Sequence, residues 1–300
     1  MLGLILLVTS ALADGLALDW NQPLRYRSEV QVLTPNGYLY KGRANVEARV
    51  TSHELAVDLS CTGAPQGAST AVICAVDAVQ LGAKAYPGDE ADTVLVLEEY
   101  RQWFAGSTWQ IRFAADGRVM DVDLEGVEKN DDRMAEIHET LRQLARRVVT
   151  PLDLSMPKKA VGVGASWKQK GTPLLFQLMT TWGTAGGTVM RHRLEAQQGA
   201  VAQIGSEGRG NVATGLDLEV GSGETVNMIG GGVARVDTAR SLILWRQVGV
   251  SGELTASSLQ PGDPAVYSLM GWAGLRNPDG TVETESGPRA WPPQGSPGPR

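Results

Sequence analysis

From Arg25 onward the chain alternates: Tyr26, Ser28, Val30 and Val32 fall on one side, and Arg25, Arg27, Glu29 and Gln31 on the other. A period of two is that of a β-strand with one apolar and one wet face. Thr34-Pro35-Asn36-Gly37 then reads as a turn, because Pro fixes φ and Asn-Gly accepts a positive φ. Ala44, Val46, Ala48 and Val50 alternate in the same way, and a third run extends from Glu54 to Cys61, so a meander with one solvated face is predicted. Thr93 to Tyr100 reads as a further strand. Trp109, Ile111 and Phe113 mark the apolar face of another, and Ala115-Asp116-Gly117 is a hairpin turn leading into Met120, Val122 and Leu124.

The period then changes. Behind Asn130, a candidate N-cap, Met134, Ile137, Leu141, Leu144, Ala145 and Val148 recur at helical spacing. Arg146 and Arg147 stand near the end of this helix, where cations suit its dipole, and Pro151 stops it. The apolar stripe must cover something, most simply an open face of the preceding sheet. After Pro157 strand patterns return around 166–169, 174–182, 188–195, 201–206, 216–220, 232–237 and 242–250, punctuated by glycine pairs and triplets. From Gly274 the composition turns to Pro, Gly and polar residues, as in a disordered tail. The fold class expected is mainly β, with two antiparallel curved-sheet or barrel-like blocks and one amphipathic helix between them. The divisions are a signal peptide over 1–13, a first β block over 14–127, helix and linker over 128–157, a second β block over 158–273 and the tail over 274–300.

The opening MLGLILLVTSALA supports export: an apolar run from Leu2 to Val8 precedes Ala11-Leu12-Ala13, the A-x-A form of a signal-peptidase site, although no Lys or Arg stands ahead of the run. The run is too short to span a bilayer, so no transmembrane segment is expected in the mature chain. A buried N-terminal strand or helix is the alternative. The two cysteines fit an oxidising compartment, periplasmic or extracellular. Cys61 and Cys74 each end up on the apolar face of a strand with the turn-forming stretch 62–69 between them, so a disulfide is expected, with two buried thiols as the other reading.

Composition narrows function mainly by exclusion. The chain has 300 residues, 42% hydrophobic and 20% charged, enough for a sizeable core without metal. A net charge of −6 with scattered basic residues excludes nucleic acid as the main partner. No G-x-S-x-G elbow occurs, and Gly249-Val250-Ser251-Gly252 has the wrong spacing. His53 and His138 are each followed by glutamate, yet Ala56-Val57 and Leu141-Arg142 stand where the second histidine of H-E-x-x-H would be. His192 lies between Arg191 and Arg193, a setting that disfavours protonation and metal capture. Asp89, Glu90 and Asp92 lack the spacing of a calcium loop, and Asp121, Asp123 and Glu125 fit the wet side of a strand better than a catalytic pair. No catalytic residue, cofactor or metal site is therefore assigned.

What remains is apolar. Eight tryptophans against three phenylalanines are spread through both blocks, and Trp109, Phe113, Met134, Ile137, Leu141 and Trp182 are the side chains expected to line a cavity between sheet and helix, if they do not simply fill it. The stretches YRSEVQVLTPNGYLYKGRANVEARVTSHELAVDLSC and WQIRFAADGRVMDVDLEGVEKNDDR resemble the N-terminal β-barrel of the large lipid transfer proteins, the vitellogenin-like family. This resemblance implies a barrel wrapped on a helix, with a role in lipid uptake or protein contact. It transfers no binding residue. Val161, Val163, Gly164 and Trp167 are similar to the start of the second half of uncharacterised exported bacterial β proteins. The function expected is a non-enzymatic exported protein that binds a lipid or other apolar molecule. The alternative is a cell-envelope scaffold that contacts other envelope proteins without a small-molecule ligand.

Overall fold

The computed structural model describes residues 19–20, 22–39, 48–66, 69–126, 132–178, 185–216, 223–253 and 266–283. The expected signal peptide over 1–13, the candidate N-cap Asn130, Trp182 and the segment beyond 283 lie outside the described residues.

Eleven strands among them form one open antiparallel sheet in the order β5-β4-β3-β2-β1-β11-β10-β9-β8-β7-β6. The first block supplies β1 (Leu24–Leu39), β2 (Ala48–Gln66), β3 (Ser69–Ala85), β4 (Thr108–Ala114) and β5 (Val119–Glu125). The second supplies β6 (Ser166–Lys168), β7 (Ala185–Gln198), β8 (Val201–Leu216), β9 (Gly223–Asp237), β10 (Leu242–Glu253) and β11 (Val266–Leu275). The chain lays its first five strands from the centre to one edge. It returns through a helix, starts again at the far edge, and comes back to the centre. The first and last strands pair from Tyr26↔Leu275 to Leu33↔Ser268, which makes the two blocks one sheet.

One face carries the core. Tyr26, Ser28, Val30 and Val32 are buried on β1, and their partners Leu59, Val57, Leu55 and His53 on β2 and Leu275, Ala273, Gly271 and Leu269 on β11 share that inner face. The outer face carries charge, with Arg27 bonded to Glu29 (2.7 Å) and Arg276 to Asp58 (2.9 Å). Helix α2 (Asp132–Val149) lies on the inner face as its stripe predicts, burying Ile137, Leu141, Leu144, Ala145 and Val148, and Ser28 donates a hydrogen bond to its Val148 carbonyl (2.6 Å). A short 3-10 turn, Thr150–Leu152, continues it onto β10 and β11.

Several expected elements differ. The segment Thr93–Tyr100 belongs to a helix, α1 (Glu90–Ala105), which buries Thr93, Val96, Tyr100 and Phe104. Its apolar run has no decisive period, and the acidic residues Glu90 and Asp92 form a first turn that suits the helix dipole. The turn expected at 34–37 is not a chain reversal: β1 continues to Leu39 with a register shift between Leu33 and Gly37. A bulge accommodates a proline that has no N–H to give to the ladder. A similar irregularity between Arg112 and Phe113 turns Val119 inward and leaves Met120 exposed. The expected strand 174–182 begins instead as a four-residue helix, α3 (Leu174–Gln177), behind Pro173. The tail boundary at 274 falls inside β11, and the chain folds back so that Arg276 bridges Val282.

Candidate functional site

Cys61 and Cys74 stand directly opposite each other on β2 and β3, both buried, and form a disulfide with Cα atoms 4.0 Å apart. Cys74 also faces Trp109 on β4, so the bridge is part of the core and has no contact with solvent. Of the six residues expected to line a cavity, Trp109, Phe113, Ile137 and Leu141 are fully buried in a packed core. Trp109 packs edge-on to Phe104 and donates its Nε1–H to Ser107 Oγ (3.0 Å), while Phe113 stacks on Trp20 at 5.1 Å. Met134 is half-buried against the same core.

The inner face of the second block is built differently. Gly208 and Gly210 on β8 and Gly230 on β9 point inward, and a Cβ on any of them would meet the Phe176 ring at 3.0–3.1 Å. The missing side chains leave a trough, and α3 lies in it with Leu174, Leu175 and Phe176 buried. Asp153 anchors α3 by accepting from the Leu174 N–H (2.9 Å), while Arg146 of α2 donates to Gln177 Oε1 (2.8 Å). Helix α2 touches β1, β2 and β5, whereas α3 touches β7, β9 and β10, so the two helices meet at a seam that the 3-10 turn fills by packing on β10 and β11.

Polar groups line this region. Asp153 Oδ1 accepts from Val119 N–H (2.9 Å), and Oδ2 also accepts from Gln169 Nε2 (3.4 Å). Gln169 Oε1 lies 3.2 Å from His192 Nε2, and His192 Nδ1 lies 2.8 Å from Ser206 Oγ. A serine, a histidine and a carbonyl in line have the connectivity of a nucleophile and its base. Burial pushes His192 down to about 3, with the positive charge of Arg246 adding to the effect, so the imidazole is neutral and a poor proton acceptor. It is also wholly inaccessible. The network satisfies buried polar groups, joining β6, β7 and β8 to the segment behind α2. The flanking Arg191 and Arg193, expected to set the character of His192, sit on the opposite, exposed face. Burial also raises the Asp153 carboxyl, against the opposing pull of Arg246 and its three donors.

Three arginines behind the sheet have neutral hydrogen-bond partners, while the charge of Asp153 also acts on Arg246 and those of Asp121 and Glu139 on Arg146. Arg246, 3% exposed, donates to the Pro151 carbonyl (3.3 Å); Arg146 bonds Gln177; and Arg147 NH1 lies 2.5 Å from His53 Nε2. The Nε atoms of all three, and Nδ1 of His53, are buried without a hydrogen-bond partner. Sequence reasoning took Arg146 and Arg147 as cations suited to the helix end and did not see that they face inward.

A separate opening of about 820 Å³ lies where β1, β10 and β11 meet, lined by Asp19, Arg25, Arg240, Arg276, Leu242 and Leu275. Two of its cations are already paired, Arg240 with Asp237 (2.6 Å) and Arg276 with Asp58. Among the described residues no group of His, Cys, Asp and Glu could hold a metal ion, and no helix is long and apolar enough to cross a membrane. Asp89, weighed as a calcium-loop residue, bonds Arg49 at 3.0 Å. No protein-family model and no curated protein sequence matches the chain.

Proposed function

We propose that the protein is an exported, non-enzymatic binding protein that holds a hydrophobic ligand of the lipid class on the inner face of its sheet, beside the seam between α2 and α3. The observation that supports this reading best is the glycine trough at Gly208, Gly210 and Gly230, filled by a single four-residue helix. A sheet that only needs to bury its face does so with large side chains. Glycines leave a trough of side-chain depth, and its occupant is a helix too short to be stable by itself, held there by Asp153, Arg146 and the burial of its apolar residues. An acyl chain or similar apolar group takes the place of Phe176 when α3 swings away. The packed core under the first part of α2 is the rigid support for this motion. The resemblance of the first block to lipid transfer barrels points to the same class of ligand, and the Cys61–Cys74 bridge suits an oxidising compartment.

Native mass spectrometry and solvent extraction of the purified protein, with titration by a fluorescent fatty acid, test the reading. A co-purifying apolar molecule or saturable binding is the expected result. If neither is found, the carrier function falls, and a scaffold whose partners are other envelope proteins becomes the better account.

A further inference from the structure

The basic residues, scattered over most of the chain, crowd into one stretch. Between Leu154 and Leu194 stand Lys158, Lys159, Lys168, Lys170, Arg191 and Arg193 and no Asp or Glu; all 33 acidic residues of this chain of net charge −6 lie elsewhere. The fold gathers these cations at one edge of the sheet. Strand β6 is the last in the order, and it pairs with β7 so that Lys168 stands directly opposite Arg191 and Ser166 opposite Arg193. Gln169, Met190, His192 and Leu194 are buried on the inner face, so Lys168, Lys170, Arg191 and Arg193 project outward, and all six cations are exposed. None of the six makes an ion pair or a side-chain hydrogen bond among the described residues. Elsewhere on the outer face arginines are matched with acids, as Arg27 is with Glu29 and Arg276 with Asp58. The exposed acids beside the cations are Glu207, opposite Arg191 on β8, and Glu195, which lies over Gly205 and accepts from Gln203 (2.9 Å).

Like charges directly opposite in a ladder weaken the pairing, so Lys168 against Arg191 is a cost to the fold. Charge on an edge strand blocks unwanted pairing, which accounts for one lysine but not for a like-charged partner behind it. The far edge, β5, is blunted by Asp121, whose charge Arg112 balances at 3.0 Å. Apolar side chains are exposed among the cations as well. Val163, 59% exposed, sits in the turn between Lys159 and β6; Val189, 46% exposed, precedes Arg191 by two residues on the same outer face. A nucleic acid offers charge but no apolar layer, and a protein partner needs a fixed matching shape. An anionic bilayer takes both, because head groups meet the cations while valines and the stems of lysines enter the interface at any spacing.

We infer that the β6–β7 edge is a docking surface for an anionic bilayer, its six cations meeting the head groups and Val163 and Val189 entering the interface. This surface is on the outer face, away from the trough, so it goes beyond the carrier reading and stands or falls separately from it.

Flotation of the purified protein with vesicles tests the docking surface, using phosphatidylcholine alone and phosphatidylcholine with a third replaced by phosphatidylglycerol. The protein is expected to float with the mixed vesicles and not with the neutral ones, and added salt weakens the binding. Lys158→Gln/Lys159→Gln should lower partitioning by about fivefold for each cation removed. Lys168→Gln/Lys170→Gln should do the same from the strand, and it carries the comparison if the first variant fails to fold. Glu207→Gln, which removes an acid, should strengthen binding. Equal flotation with neutral and mixed vesicles, or binding that neither double variant weakens, overturns the docking surface. So does a failure to float with either vesicle, and retention of the same protein on immobilised polyglutamate would then assign the edge to an acidic protein partner. Flotation that persists when no fatty acid is bound keeps the docking surface and removes the carrier.

Discussion

Phe176 is held by what its neighbours lack. Its ring lies within van der Waals reach of three inward glycines, so Phe176→Ala empties a site that nothing adjacent can refill. The loss should be about 3–5 kcal/mol, read as a lower urea midpoint with an unchanged slope. Gly230→Ala tests the fit from the other side. The added methyl would meet Phe176 at 3.1 Å and the Gly249 carbonyl at 3.2 Å, and overpacking of this kind costs about 1–3 kcal/mol. Histidines set the acid limit. Burial lowers His53 and His192 in the folded protein, Arg147 and Arg246 reinforcing the shift, so the unfolded chain binds protons that the native state refuses. Their contribution is complete above the ordinary histidine value of 6.5 and is lost as pH falls, for His192 down to about 3. Each can take up to about 1.4 kcal/mol per pH unit. Urea midpoints should drop between pH 7 and pH 5, and the double variant His53→Gln/His192→Gln should flatten that drop; an equally steep fall in the double variant would assign the acid sensitivity elsewhere. Asp153, raised by burial, has the opposite sign and does not explain such a fall.

At the scale of elements, the Cys61–Cys74 bridge closes a short loop between β2 and β3, with a sequence separation of 13. Reduction, or replacement of both cysteines by alanine, should lower stability by about 3 kcal/mol in denaturant titrations with and without reductant. Most strands of the first block and the long helix were legible, because Tyr26 to Val32 and Ile137 to Val148 keep one period over several turns of pattern. Helix α1 was not, since Val94 to Leu97 is apolar without interruption and even exposes Val94 (66%) and Leu95 (57%). Strand β11 was missed for a different reason: its inner positions alternate through Tyr267, Leu269, Gly271 and Ala273, and the two small residues blur the apolar face. Gly271 is small because Val30 and Pro151 approach it. The candidate site was hidden similarly. Glycines in a strand read as punctuation, and only the register showed that Gly208, Gly210 and Gly230 share one face. Arg147 could be placed on the helix but not on its inner side, because its partner His53 is 94 residues away.

For the whole molecule, the decisive contact is β1 with β11, the first described strand with the last. Neither block has a face closed by its own strands: α2 from the linker covers β1 and β2, and the turn after it packs on β10 and β11. A fragment ending at residue 157 should therefore lack cooperative unfolding and bind hydrophobic dyes, and adding the 158–283 fragment should restore a single transition. Two independent transitions in the full chain would instead show that the blocks fold separately.

That central pairing also has a consequence in time. During synthesis the inner edge of β1 waits with its hydrogen-bonding groups unpaired until its partner, Val266–Leu275, the last of the described strands, has been made. The sheet cannot knit shut behind the ribosome. A sheet whose central pairing is made after its flanking hairpins is held together by β11, the seam that locks the two blocks into one fold.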